Sequence, residues 1–488
     1  MVTSIFADVT PYLQALATGN EGEATRELID LLGRQRVPAD KLAGRIGLAA
    51  LWGGAEPHAV SAMAATGSFA EWMRGIPAGP EPGEDLRRVL GVVVPISQGA
   101  SVVAGAIGAG MEPHDEKLPE PLFPAQVKHP NGPIAALRDA FAARDVTGAQ
   151  RILLGYHATG ADYRALLATL YAALAHRYPE GGHPLIFTRA ASRILDLGDW
   201  GGNMPAFIAW LTPLLCAGEI DALVSSGASA YAASYDFTWL RKRLASAKEE
   251  AAGQAFQRAV VTGDDKAACD AVVAALQGGA TARGVAAAMA HVAADQLVAV
   301  PAGDRDGLLK AAHQLQYQHA VATALGETQE MHVWPILFTA ACALRAANVA
   351  GAASPRAAAT SAGTGAGTMG MAQLRTLDQQ LMAGDAAGAL GTAHRYLQMV
   401  GAPRALAGVI ASVAARTDLK GASLDTLHLM PAVEAALDSW VRLPQAISRG
   451  GMNSLLSAAI RLTTELRGEG SLAQRVRGAI DLASAQTA

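Results

Sequence analysis

The sequence predicts an all-α protein, a helical bundle or array of four diverged repeats in one cooperative domain over 1–488. Apolar residues recur at three- and four-residue steps, strand-like alternation is short-lived, and a two-helix pattern returns four times. A packed array buries the repeat faces against one another, so one cooperative unit is expected in place of four domains.

The four copies open alike: LATGNEGEATRELIDLL from Leu16, FAARDVTGAQRILL from Phe141, VVTGDDKAACDAVVAAL from Val260 and LMAGDAAGALGTAHRYL from Leu381. Each reads as an apolar helix end, a Gly/Asp turn and a new amphipathic helix. The alanine near the start of that helix falls at Ala24, Ala149, Ala268 and Ala389, spaced by 125, 119 and 121 residues. Pseudo-repeats of 1–125, 126–248, 249–372 and 373–488 follow. A second helix rich in alanine comes next in each copy, in VPADKLAGRIGLAAL, TGADYRALLATLYAAL, ATARGVAAAMAHVAA and GAPRALAGVIASVAA. These pairs read as αα-hairpins.

After each hairpin a loop leads to a histidine at the expected start of another helix: His58 in AEPHAVSAMAATG, His183 in GGHPLIFTRAASRIL, His313 in KAAHQLQYQHAVATALG and His428 in DTLHLMPAVEAALDSW. The distance from the alanine to the histidine is 34, 34, 45 and 39 residues, and loop insertions account for the last two. Only 12 histidines exist in the chain, so this recurrence is the sharpest signal in it. Pro184 suits the first turn of a helix and places the start beside His183.

Imidazoles delivered by separate copies to a shared axis form a ligand set for iron, copper, zinc or nickel. His58, His183, His313 and His428 are therefore the candidate metal ligands, with His332 in TQEMHVWPILF and His319, six residues beyond His313, as additional ones. Lys310 shares a helical face with His313 and is a ligand only if carboxylated. Asp162, Tyr163, Asp196 and Asp199 are candidates for orienting the ligands. Against this, a histidine beside a loop can equally cap a helix or bond a carbonyl, and His157, His176, His291 and His394 lie within hairpin helices where such roles are expected.

Composition removes several function classes. Hydrophobic residues are 51% and charged residues 17% of the chain, and the net charge of -4 comes from well-mixed acids and bases with no basic stripe for a phosphate backbone. Nucleic acid is not an expected partner. Cys216, Cys269 and Cys342 are odd in number and never paired as CxxC, so neither a disulfide framework nor a thiolate zinc site is expected, and a reducing, cytoplasmic setting fits. The amino terminus has no basic n-region or continuous apolar h-region. The uncharged run from Gly91 to Gly110 contains Pro95 and five glycines and reads as a buried helix-loop-helix, with no membrane partner implied. Linker-like stretches are Gly79–Gly83, Glu112–Pro133 and the low-complexity Gly351–Gly370. Within the last, GTGAGTMG lacks a preceding strand, and no Walker, GxSxG or HExxH motif occurs, so no flavin or nicotinamide site is recognised.

The segment GGHPLIFTRAASRILDLG, through Gly182, His183, Pro184, Leu185 and Ile186, resembles the histidine-proline-apolar-apolar motif of the questin oxidase-like family. With PHAVSAMAATG around His58 and HQLQ at His313, it is also similar to histidine-rich, all-helical bacterial proteins associated with Rieske-type oxygenases. The resemblance implies an all-helical oxygenase and, for the questin oxidase-like family, oxidative ring cleavage of aromatic polyketides. No Rieske cysteine-histidine pairs are present, so a cluster would belong to another protein. The resulting expectation is a non-haem, metal-dependent oxygenase or oxidase, with iron the expected metal, dioxygen as co-substrate and an apolar, aromatic small molecule of natural-product type held by residues such as Phe187 and Trp334. An electron-transfer partner or a homo-oligomer is compatible with it. The alternative is a non-catalytic helical-repeat scaffold that binds other proteins.

Overall fold

The computed structural model describes residues 6–77, 91–111, 118–218, 222–236, 239, 252–328, 330–347, 368–442, 453–468 and 470–485. Among these residues the chain is all-helical, without a β-strand. In chain order the helices are α1 (Thr10–Ala17), α2 (Glu21–Ile29), α3 (Ala39–Trp52), α4 (Pro57–Met73) and α5 (Val93–Gly110). Then come α6 (Gly132–Ala142), α7 (Val146–Ala158), α8 (Tyr163–Leu174), α9 (His183–Leu197), α10 (Met204–Cys216) and α11 (Ala222–Ser234). They continue as α12 (Gln254–Ala259), α13 (Asp265–Gln277), α14 (Ala282–Ala299), α15 (Arg305–Glu327) and α16 (Ile336–Ala346). The last are α17 (Thr368–Ala383), α18 (Ala386–Met399), α19 (Pro403–Ala414), α20 (Leu424–Arg442), α21 (Asn453–Leu466) and α22 (Ser471–Ala485).

The four Gly/Asp turns adopt one local design. A residue with positive φ (Gly19, Arg144, Gly263, Gly384) ends the preceding helix. The next side chain caps the following one: Asn20, Asp145, Asp264 and Asp385 accept hydrogen bonds from the backbone N–H of Glu23, Gly148, Ala267 and Gly388. Four residues on, Ala24, Ala149, Ala268 and Ala389 are all buried. A larger side chain there would hold the helix away from its neighbours.

The centre of the molecule is a closed ring of α4, α9, α15 and α20, each packed on the next, with α20 returning to α4. The second helix of each hairpin lies outside a seam of this ring: α3 against α4 and α9, α8 against α9 and α15, α14 against α15 and α20, α19 against α20 and α4. The inner helices all run in one direction. His58 meets His183 and Ser68 meets Arg193, both pairs 125 residues apart. His183 meets His428 and Arg189 meets Glu434 at 245, and Arg305 meets Asp425 and His319 meets Ser439 at 120. A constant separation at two levels along a helix pair requires parallel helices.

Two expectations are corrected here. The Gly91–Gly110 run is not a helix-loop-helix, because Val93–Gly110 is one unbroken helix. Pro95 falls at its third position, where the N–H that proline lacks has no partner within the helix. Val93–Gly110 is also the one described helix long and apolar enough to cross a membrane, and more than half of it is buried against the rest of the protein, chiefly α3 and α4. Its buried Gln98 is satisfied by the Asp418 carboxylate at 3.1 Å and the Leu419 N–H at 3.1 Å. The second correction concerns the linkers. Gly79–Gly83 and residues 112–117 and 351–367 lie outside the described residues, whereas Gly370 already belongs to α17. Residues 118–131 run over the surface through a 3-10 turn at Pro124–Gln126, tied down by the Leu122 N–H on the Arg151 carbonyl at 2.7 Å.

Close helix contacts rest on glycines. A Cβ on Gly53, just after α3, would strike the backbone oxygen of Ala106 in α5, whereas one on Gly105 would meet nothing. Gly53→Ala is therefore expected to destabilise the protein by about 1–3 kcal/mol through overpacking. Gly105→Ala is expected to stabilise it by about 0.5–1 kcal/mol by restricting the unfolded chain. Urea denaturation of the two variants, with opposite shifts of midpoint at unchanged m, checks this packing.

Candidate metal centre

His58, His183, His313 and His428 come together at the end of the ring where the inner helices begin. His58 is the second residue of α4 and His183 the first of α9. His428 is the fifth residue of α20 and His313 the ninth of α15. The expectation that each histidine opens its helix is thus corrected for the last two. Their extra distance from the alanine goes partly into added helical turns, not only into loops. The residue 120 before His428 is Leu308, 2% exposed, so His313 stands about one turn deeper than the other three.

The Nε2 atoms of His58 and His183 are 3.3 Å apart and those of His183 and His428 are 3.4 Å apart, and the three side chains each offer a ligand atom within 4.8 Å of the others. An ion ~2.1 Å from each nitrogen requires N···N separations between ~3.0 Å at right angles and ~3.4 Å at tetrahedral ones. Two of the three Nε2 separations therefore fall in the metal-compatible range, and the third pair has ligand atoms within 4.8 Å. Each also has its other nitrogen occupied. Glu56 holds His58 Nδ1 at 2.6 Å, and the carbonyls of Glu180 and Leu424 hold Nδ1 of His183 at 2.5 Å and of His428 at 2.9 Å. These acceptors place the proton on Nδ1 and leave the Nε2 lone pairs facing one another. Burial, followed by the neighbouring His58, pushes the His183 pKa down to about 4. Burial likewise lowers those of His428 and His313, the latter far below its usual value. These three rings are neutral at pH 7, the form that binds metal.

Local sequence explains the placement. Glu56 is the N-cap of α4: one carboxylate oxygen takes the Ala59 N–H at 2.9 Å while the other holds His58. Before α9, Glu180, Gly181 and Gly182 all have positive φ, which curls the chain so that the Glu180 carbonyl reaches His183. A Cβ on Gly181 would lie 2.8 Å from the His313 ring, and one on Gly182 would strike Tyr317. The glycines of GGHP are thus required by backbone conformation and by the close approach of α15. Phe187, one turn after His183, stacks on that ring at 5.1 Å and meets His58 edge-on at 5.2 Å.

Two expected ligands lie elsewhere. His332 is exposed on the 3-10 turn Met331–Val333 and belongs to neither histidine group found among the described residues. His319 sits deeper in the ring with Glu434 and Asp438, a second group within ligand distance. There Arg189 forks onto Glu434, Arg442 bonds Asp438 at 2.7 Å, and Ser439 bonds His319 Nδ1 at 2.9 Å. Two guanidinium groups already balance the two carboxylates, so a divalent ion would add uncompensated charge to a buried site. This group reads as a structural network beneath the histidines. Lys310 is exposed. Asp162 caps α8, Asp196 accepts from the Trp200 indole at 2.6 Å, Asp199 accepts from the Gly201 N–H at 3.2 Å, and Tyr163 stacks on Trp200, so none of them orients a histidine. Sequence reasoning missed Glu56, whose signal was an acid at a helix N-cap two residues before a candidate ligand. Trp334 is buried in the core cluster.

Compared with protein-family models, curated proteins and solved structures, the chain matches none.

Deeply buried histidines make the protein acid-sensitive. Burial lowers His291 to about 4 and His319 to about 3, against 6.5 for an exposed histidine. The unfolded chain takes up protons below pH 6.5 that the folded chain refuses, so stability is full above that pH and falls as pH drops from about 6.5 towards 4. Urea midpoints measured between pH 7 and 4.5 should decline, and less steeply in His319→Gln; a flat profile would contradict neutral burial.

Proposed function

We propose that His58, His183 and His428 hold a transition metal and that the protein is a non-haem, metal-dependent oxygenase or oxidase acting on a small molecule. The observation that carries this reading is the convergence of three imidazoles, with His183 Nε2 at metal-compatible spacing from the Nε2 atoms of His58 and His428 and each ring fixed by an acceptor on Nδ1. An array of unrelated packing histidines has no reason to free all three inner nitrogens. Iron is the metal favoured by the GGHPLIF resemblance, and imidazoles suit it. A redox-active ion would supply the dioxygen chemistry that imidazole, carboxylate and hydroxyl groups lack.

The chain's own contribution is orientation and shape. Glu56 and the carbonyls of Glu180 and Leu424 keep the rings aimed inward, and Phe187 presents an aromatic wall suited to an aromatic or aliphatic substrate. The recurring turns, caps and buried alanines support four copies of one unit, of which three supply ligands at one register.

Metal analysis of protein purified without an affinity tag is expected to show about one equivalent of transition metal after anaerobic iron loading. Less than a tenth of an equivalent would overturn the reading in favour of a scaffold. His183→Ala should weaken binding by at least the ~10–100-fold typical of disturbed supporting groups, and Glu56→Gln should fall within that range. Unchanged metal content in His183→Ala would make that histidine structural.

A further inference from the structure

We propose that the histidine centre takes an oxyanion as its ligand, a carboxylate, enolate or phenolate group of the substrate, and that His313 is not a fourth metal ligand but the hydrogen-bond donor to that oxyanion. The proposal rests on the metal reading above and adds to it the charge of the substrate.

Charge balance leads to the first half. An ion held by three neutral imidazoles keeps its full positive charge. Two carboxylates stand nearby: Glu56, which accepts from His58 and the Ala59 N–H and keeps its negative charge, and Asp425, which is paired with Arg305 at 3.1 Å. The N-termini of the parallel α4, α9, α15 and α20 lie at this end, but Glu56 caps α4, Asp304 caps α15, Asp425 stands in the first turn of α20, and the C-termini of the antiparallel outer helices lie beside them, so helix dipoles add little. Gly182 at the N-cap of α9 has no side chain with which to answer its own helix. A divalent ion held by three neutral imidazoles beside the single carboxylate of Glu56 would thus keep positive charge that the ring does not neutralise, and an anionic ligand would complete it.

The second half follows from where His313 stands. Its ring is 4.5 Å from that of His183 and 6.0 Å from that of His428, yet it falls outside the group whose ligand atoms lie within 4.8 Å of one another. Its Nε2 is shielded from solvent and has no hydrogen-bond partner. A shielded nitrogen without a partner is costly, and in a neutral ring protonated on Nε2 it becomes a donor waiting for an acceptor. Gly181 has no Cβ, which leaves room for this ring beside the His183 loop. An oxyanion bound at the three Nε2 atoms would supply the acceptor, and Phe187 the surface for its apolar body.

Cobalt-loaded protein provides the test, since its visible spectrum reports the ligand sphere without turnover. Nitrocatechol, a bidentate oxyanion, is titrated against its neutral dimethyl ether, and cobalt content and helical dichroism are measured for wild type, His313→Ala, His313→Gln and His183→Ala. The expected result is that nitrocatechol shifts the wild-type spectrum and the ether does not. His313→Ala should keep its cobalt but bind nitrocatechol about tenfold to a hundredfold more weakly, the cost of losing a hydrogen bond to a charged group. His313→Gln, which keeps a donor, should recover most of that loss. If His313→Ala fails to fold, His313→Leu fills the space without a donor and replaces it. Loss of cobalt from folded His313→Ala comparable to that from His183→Ala would make His313 a ligand and overturn the proposal. So would equal affinity for the neutral ether, or nitrocatechol binding unaffected by His313. Wild-type protein that takes up no cobalt and no iron would instead remove the metal reading itself, and this proposal with it.

Discussion

Parallel packing of the four inner helices is the constraint from which the rest of the molecule follows. Two antiparallel helices can be joined by a short turn, but a parallel neighbour is reached only after the chain has travelled back the length of the bundle. The return path here is made of the outer helices, and it sets the period of about 120 residues between the Gly/Asp turns. Each inner helix is opposed by the antiparallel outer helix of its hairpin, so the helix dipoles largely cancel and the two ends of the ring carry little net dipole. The buried Arg189–Glu434 pair crosses the axis between these ends. Removing such charges from water costs more than a neutral core would, and the pair is better understood as fixing the register of α9 against α20 than as a source of stability.

Much of this was legible in the sequence. Helical periodicity, the four turns and the four histidines each left a mark, because capping residues and positive-φ glycines are local requirements that cannot be moved without breaking the turn. Depth along the axis was not legible. His313 and His428 follow their anchor alanines by longer intervals than His58 and His183, and an interval does not say whether the extra residues form loop or helix. The caps decide it: Asp304 accepts from the Gly307 N–H and so starts α15 two turns before His313. Asp304 had no reason to be preferred over the other polar residues of PAGDRDG as the point of helix entry.

Candidate second-layer residues failed for a related reason. Asp162, Asp196 and Asp199 are near His183 in sequence, but caps and indole contacts consume them locally. The groups that do hold the histidines are two backbone carbonyls, invisible to any reading of side chains, and Glu56, which serves the backbone and the imidazole at once. The GGHP motif has a similar double character. Its glycines answer a left-handed turn and the close passage of α15, so part of the resemblance it carries reflects packing geometry.

Ligands drawn from segments 125 and 245 residues apart couple the centre to closure of the ring. An ion bound by His58, His183 and His428 would bridge α4 to α9 along the wall and α9 to α20 across the axis, joining the first, second and last of the inner helices. Any ligand that binds only the folded state stabilises it by mass action, and an ion held by these three histidines would stabilise the packing of α4, α9 and α20 on one another, including the α20–α4 contact that closes the ring. Without a bridging ion the Nε2 atoms of His58 and His183 and of His183 and His428 face each other at 3.3 and 3.4 Å, between α4 and α9 and between α9 and α20. A single cation placed there would engage all three nitrogens at once.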